Sequence, residues 1–135
     1  MSYDAVRNYI VGRLNGQGFA ESQAIDDYTD APSSEYGNTF ILKALSGEMD
    51  DENSETIVDR FYDAQTWQAQ IAFSKTDIDR DELHRKRELI MKDLDNPANW
   101  SDTVRIMKYG NWSVEMLDSY FILTINIKIV DTYIY

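Results

Sequence analysis

The chain has no cysteine, a single histidine, two prolines and no apolar run close to the ~20 residues needed to span a bilayer. Without cysteine there is no disulfide framework and no thiol nucleophile, which fits an intracellular product or an assembly that needs no oxidising compartment. The opening residues, Met1, Ser2, Tyr3 and Asp4, offer neither a basic n-region nor an apolar h-region, so no secretory leader is expected. Walker-type and Gly-x-Gly-x-x-Gly loops are missing, and no internal repeat or low-complexity tract occurs. Basic residues are scarce: 13 against 24 acidic ones, a formal charge of −11, which argues against general affinity for nucleic-acid phosphates.

What is present points to a globular chain. With 135 residues and 43% hydrophobic content it is long enough for one domain, residues 1–135, with a core of its own. The charge imbalance is local. Eleven of the acids (Glu21, Asp26, Asp27, Asp30, Glu35, Glu48, Asp50, Asp51, Glu52, Glu55 and Asp59) share one stretch with a single base, Lys43, while the rest of the chain is close to balance. A solvated acidic surface explains this. So does a face that must slide past DNA or meet a basic partner.

Residues 120–130 carry the strongest pattern. Phe121, Leu123, Ile125, Ile127 and Ile129 alternate with Thr124, Asn126 and Lys128, which predicts a long strand with one face on a core. Residues 2–17 predict a helix with Tyr3, Val6, Ile10, Val11 and Leu14 on one side, ended by Gly16 and Gly18. Residues 19–37 are turn-rich and acidic, with a short helical turn expected at 21–25. Residues 39–45 predict a strand broken by Ser46 and Gly47, and Trp67, Ala69, Ile71 and Phe73 predict its partner, with a bend or bulge expected at 61–64. The polar tip between them suggests a long projecting hairpin. A helix is expected from about Ser74 to Leu94, with Ile78, Leu83, Leu89, Ile90 and Leu94 inward and Asp81–Arg85, Glu82–Lys86 and Glu88–Lys92 as i,i+4 pairs. Asn96 and Pro97 stop it. Strands follow at 104–109 and 112–116, joined by a two-residue turn at Gly110 and Asn111. The order α-β-β-α-β-β-β predicts an α+β fold, a mainly antiparallel sheet with two helices packed on it.

No residue set reads as catalytic, and no enzyme activity is expected. His84 sits among Arg85, Lys86 and Arg87 on a charged helix, and nothing nearby in sequence sets up the nucleophile and orienting acid that a triad needs. Asp77, Asp79, Asp81 and Glu88 have part of the spacing of a calcium loop, but Glu82 stands where glycine is needed and the segment reads as a helix start. No cofactor or metal site is assigned. Asn99-Trp100-Ser101 and Asn111-Trp112-Ser113 match the glycosylation sequon without a secretion signal to support its use. The candidate interface residues are the acidic tip, Glu48, Asp50, Asp51, Glu52 and Glu55, and the one basic cluster, His84, Arg85, Lys86 and Arg87. The two could meet across a subunit boundary in a heterologous contact.

At Asp59-Arg-Phe-Tyr-Asp63, residues 67–73, Asp93-Leu-Asp-Asn-Pro-Ala-Asn-Trp100 and Tyr120-Phe-Ile-Leu-Thr-Ile125, the chain resembles the tail terminator proteins of long-tailed bacteriophages. The similarity covers nearly the whole chain in length and element order, and its motifs are packing and turn residues. It implies a structural virion protein: a ring, typically hexameric, that caps the tail tube, ends tube polymerisation and meets a head-completion or neck protein. It further implies that DNA passes through the lumen without specific binding, that no membrane is involved, and that the protein resides at the head-proximal end of the tail after assembly in the host cytoplasm. Another head-tail connector or head-closure component would share these features, and a small acidic metal-binding module is the reading from outside that class.

Overall fold

A computed structural model describes residues 2–22, 28, 37–49, 60–100, 104–117 and 119–134. The elements are α1 (Ser2–Gly16), β1 (Ala20–Glu21), β2 (Thr39–Met49), β3 (Arg60–Ser74), α2 (Arg80–Asp95), a 3-10 turn (Pro97–Asn99), β4 (Val104–Met116) and β5 (Tyr120–Ile134). The fold is α+β. Five strands form one sheet in the order β1-β2-β3-β5-β4, antiparallel except for β1 beside β2. Among the described residues no helix is long and apolar enough to cross a membrane.

The predicted alternation in β5 sets the sheet's inner face. Phe121, Leu123, Ile125, Ile127 and Ile129 are buried there, and their register partners in β3 are Phe73, Ile71, Ala69, Trp67 and Gln65. Both helices cover this face. Val6, Ile10 and Leu14 of α1, together with Leu83, Ile90, Met91 and Leu94 of α2, complete one core with Phe19 and Phe40. The helix α1 ends in a Schellman arrangement: Gly18 takes a left-handed φ of 96°, and the Phe19 N–H reaches back to the Leu14 carbonyl at 3.1 Å. That turn delivers Phe19 into the core, edge-on to Phe73 at 5.5 Å. On the opposite face a smaller cluster forms from Tyr28, Ile41, Ala72 and Ile122.

Several local expectations change. Glu21 is strand, paired with Phe40, not the start of a helical turn; residues 23–25 lie outside the described residues. Ser46 and Gly47 do not end β2. A bulge between Ala44 and Ser46 absorbs Leu45, and pairing resumes to Met49 opposite Asp63. That bulge lies in β2, while β3 keeps an unbroken register with β5 through 61–64. The distal end of the predicted hairpin, residues 50–59, lies outside the described residues; within them β2 and β3 pair as expected, and β5 accompanies β3 as far as the Arg60–Ile134 pair. The helix α2 begins at Arg80, with Asp79 as its N-cap accepting from the Glu82 N–H at 2.8 Å, because the Ser74–Ile78 stretch turns first. Leu89 is exposed, and Met91 takes its place inward. Gly110 and Asn111 make no hairpin turn. They form a bulge inside a continuous β4, since Tyr109 pairs with Ile127 and Trp112 with Ile125 of the same neighbour. With the short β1 added and β4 undivided, the order becomes α-β-β-β-α-β-β.

Candidate interaction edges

Among the described residues the sheet ends in β1 on one side and in β4 on the other. Among the described residues β1 pairs with Thr39 and Phe40 of β2, and β3 pairs with β2 on its other side. At the other end, among the described residues, β4 pairs only with β5. Open strand edges present unpaired backbone donors and acceptors, which either meet a partner strand or must be protected from one.

The β4 edge carries a built side-chain cluster. Trp112 is 40% exposed at a register position on the helix-covered face. The Arg87 guanidinium lies 4.1 Å above its ring centroid, a cation–π contact, and His84 stands edge-on at 5.3 Å. Arg87 Nε donates to His84 Nδ1 at 3.4 Å and its Nη1 reaches the Met91 sulfur at 3.3 Å. Beside this cluster Leu83, Val114, Met116 and Phe121 line a small groove, with Arg80 at its rim donating to the Met116 sulfur. Met116 is 53% exposed.

The basic quartet expected from the sequence therefore divides. His84 and Arg87 are tied to Trp112, whereas Arg85 and Lys86 are exposed on the outer side of α2. The expected i,i+4 pairs on α2 are not made. The ion pairs among the described residues are Arg7–Glu21 and Arg13–Asp93, each joining α1 to another element. Of the acidic tip, Glu48 lies in β2 opposite Ala64, and Asp50, Asp51, Glu52 and Glu55 lie outside the described residues. At the β2 edge Leu45, displaced by the bulge, is 51% exposed, and Tyr3 of α1 stacks on Trp67 at 5.2 Å with half its surface in water.

A second polar network joins the C-terminal end of α2 to α1. Arg13 grips Asp93 with two nitrogens, Nε to Oδ2 at 2.9 Å and Nη2 to Oδ1, and Asn99 Nδ2 donates to the Asp93 carbonyl and to Oδ1. The Leu94 carbonyl accepts from Tyr9 Oη at 3.0 Å and from Trp100 Nε1 at 3.1 Å. Helix C-termini leave carbonyls without intrahelical partners, and these side chains supply them. The Arg13 hydrogen bonds hold the Asp93 carboxyl below its usual range, while burial pushes Asp95 above it and Tyr9 up to about 12. Asp95 Oδ1 is buried without a partner. The network missed by the sequence reading thus occupies 93–100, one of the stretches that carried the family resemblance, and its work is packing and capping. Among the described residues no three acids or histidines gather to hold a metal ion. Asp79, one of the acids with calcium-loop spacing, caps α2 by accepting from the Glu82 N–H.

No model of a known protein family matches the chain, and no curated protein matches it.

Proposed function

We propose that this chain is a structural subunit that assembles head to tail into a closed ring, and that the ring is the tail terminator of a long-tailed bacteriophage. One observation carries the self-assembly: among the described residues the outer strand β4 is paired on one side only, and Trp112 and Met116 stand exposed along it. A head-to-tail contact sets this edge against a different patch of the next copy. Contacts between unlike patches propagate, and they close into a ring when the rotation between neighbours allows.

The tail role draws its support from the resemblance at residues 59–63, 67–73, 93–100 and 120–125, and from an α+β fold of the expected class. In that role the ring stops polymerisation of the tail tube protein and offers its other side to a head-completion or neck protein. It works by surface complementarity, with no catalytic step and no cofactor. An acidic lining lets DNA pass through the lumen, because like charges give no counterion-release gain. The protein then resides in the virion.

Electron microscopy of the purified protein mixed with tail tubes tests this. Rings seated on one end of tubes of uniform length are expected. Free rings beside bare tubes that keep growing would overturn the tail role and leave self-assembly standing.

A further inference from the structure

We infer that the β4 edge receives an extended segment of the next copy whose side chains read acid, apolar, acid at every second position. This rests on the self-assembly reading and names what the next copy brings to this edge, but it does not rest on the phage role.

The edge comes first. Trp112, Val114 and Met116 share the helix-covered face of β4, opposite Ile125, Leu123 and Phe121 of β5. Among the described residues nothing pairs with the other side of this strand. A strand added there sets every second side chain beside Trp112, Val114 and Met116, because side chains alternate with a period of two.

α2 decides which side chains fit. As a whole the helix is balanced, with Arg80, Arg85, Lys86, Arg87 and Lys92 against Asp81, Glu82, Glu88, Asp93 and Asp95, so its net charge selects nothing. Two of its arginines reach β4, and among the described residues neither meets a carboxylate. Arg80 Nη2 donates to the Met116 sulfur at 3.1 Å. Arg87 lies on the Trp112 ring and otherwise touches the Met91 sulfur and, at 3.4 Å, His84 Nδ1. Thioether sulfur is a weak acceptor, while a guanidinium carries five donors in a fork that matches a carboxylate.

Spacing sets the pattern. Arg80 and Arg87 are seven residues apart on α2, about 10 Å along the helix axis. Trp112 and Met116 are four residues apart on β4, about 13 Å. The length of an arginine side chain absorbs the difference. A carboxylate beside Met116 meets Arg80, one beside Trp112 meets Arg87, and an apolar side chain beside Val114 enters the groove of Leu83, Val114 and Phe121 between them.

A second copy can supply this, since acids outnumber bases 24 to 13 in the chain. The pattern occurs at Asp26, Tyr28, Asp30, at Glu55, Ile57, Asp59 and at Asp59, Phe61, Asp63. Tyr28 is buried against Ile41, Ala72 and Ile122 of its own sheet. Asp63 is paired on both sides within β3, with Met49 and Asp131. That leaves Glu55, Ile57 and Asp59 as the set the next copy offers.

The test replaces a guanidinium, which a carbodiimide does not couple, with an amine, which it joins to a carboxylate at zero length. Arg80→Lys is made as an equal mixture of 15N-labelled and unlabelled protein, coupled, digested and read by mass spectrometry, with the unsubstituted protein as control. Arg80 is exposed, so folding is retained. The expected result is a gain of covalent dimers and larger species over the control, with position 80 of one copy joined to Glu55 or Asp59 of another. Position 80 joined to other acids, or only to acids of its own copy, would overturn the proposal. So would protein that light scattering shows to be assembled yet gives no link at position 80, while self-assembly stands. Arg80→Glu gives a second reading: loss of assembly at an unchanged melting temperature is expected, and assembly equal to the control would overturn the proposal. A control that is monomeric at every concentration would overturn both.

Discussion

Two carboxylates a single residue apart, Asp93 and Asp95, sit at the same helix end and act on stability in opposite directions. Asp93 has its carboxyl lowered by Arg13, so its contribution is present above the ordinary carboxylate range and is lost as pH falls through the depressed value. Asp95 is raised by burial, so the folded state favours its protonated form and loses stability as pH rises past the unfolded value toward the folded one. It also stands at a helix C-terminus, where the dipole disfavours an acid. At neutral pH, Asp93→Asn should therefore lower the melting temperature by a few degrees, roughly 1–2 kcal/mol for a lost charged hydrogen-bond pair, and the deficit should shrink toward about pH 3. Asp95→Asn should raise the melting temperature at neutral pH, and that gain should vanish in acid. Thermal melts of both variants across pH check the signs; the same sign for both would contradict the arrangement. Ile125 gives a harsher test. It is fully buried between Ala69 and Trp112 in register, so Ile125→Asp should prevent folding, with loss of soluble protein or of the melting transition.

At the scale of elements, legibility followed the length of the pattern. The five alternating apolar residues of β5 could be read directly, as could the Val6, Ile10, Leu14 stripe of α1, because each repeats often enough for its period to be unambiguous. Ala20 and Glu21 are too few to show any period, so β1 had no signal. Gly110 and Asn111 look the same in sequence whether they turn a hairpin or bulge a strand; pairing with β5, a non-local fact, decides it. Leu89 was placed inward because α2 has few apolar residues to choose from, while Arg87 takes up the stripe position by laying its guanidinium on Trp112. For the same reason the basic cluster was visible in sequence and its aromatic platform on β4 was not. The β4 reading has a simple check. Gly110 has no left-handed φ, and a Cβ there would meet the Asn126 carbonyl oxygen at an ordinary 3.5 Å. Gly110→Ala should change stability by less than about 0.5 kcal/mol, whereas Gly18→Ala, at φ 96°, should cost about 1–2 kcal/mol. Denaturant melts giving the reverse ranking would restore the hairpin turn.

On the scale of the molecule, the helices cover one sheet face, and among the described residues β4 is paired on one side only. A sheet with edges this long invites association, and the bulges restrict which partner can pair. Charge segregation that brings copies together is screened by salt, with a reach of about 8 Å at physiological ionic strength. Assembly is therefore predicted to weaken as salt rises. The most direct test of the account is the solution mass by light scattering at low and high salt, alone and with tail tubes. It should be a discrete multiple of the 15.7 kDa chain mass that declines as salt rises. A constant 15.7 kDa monomer in every condition would contradict it.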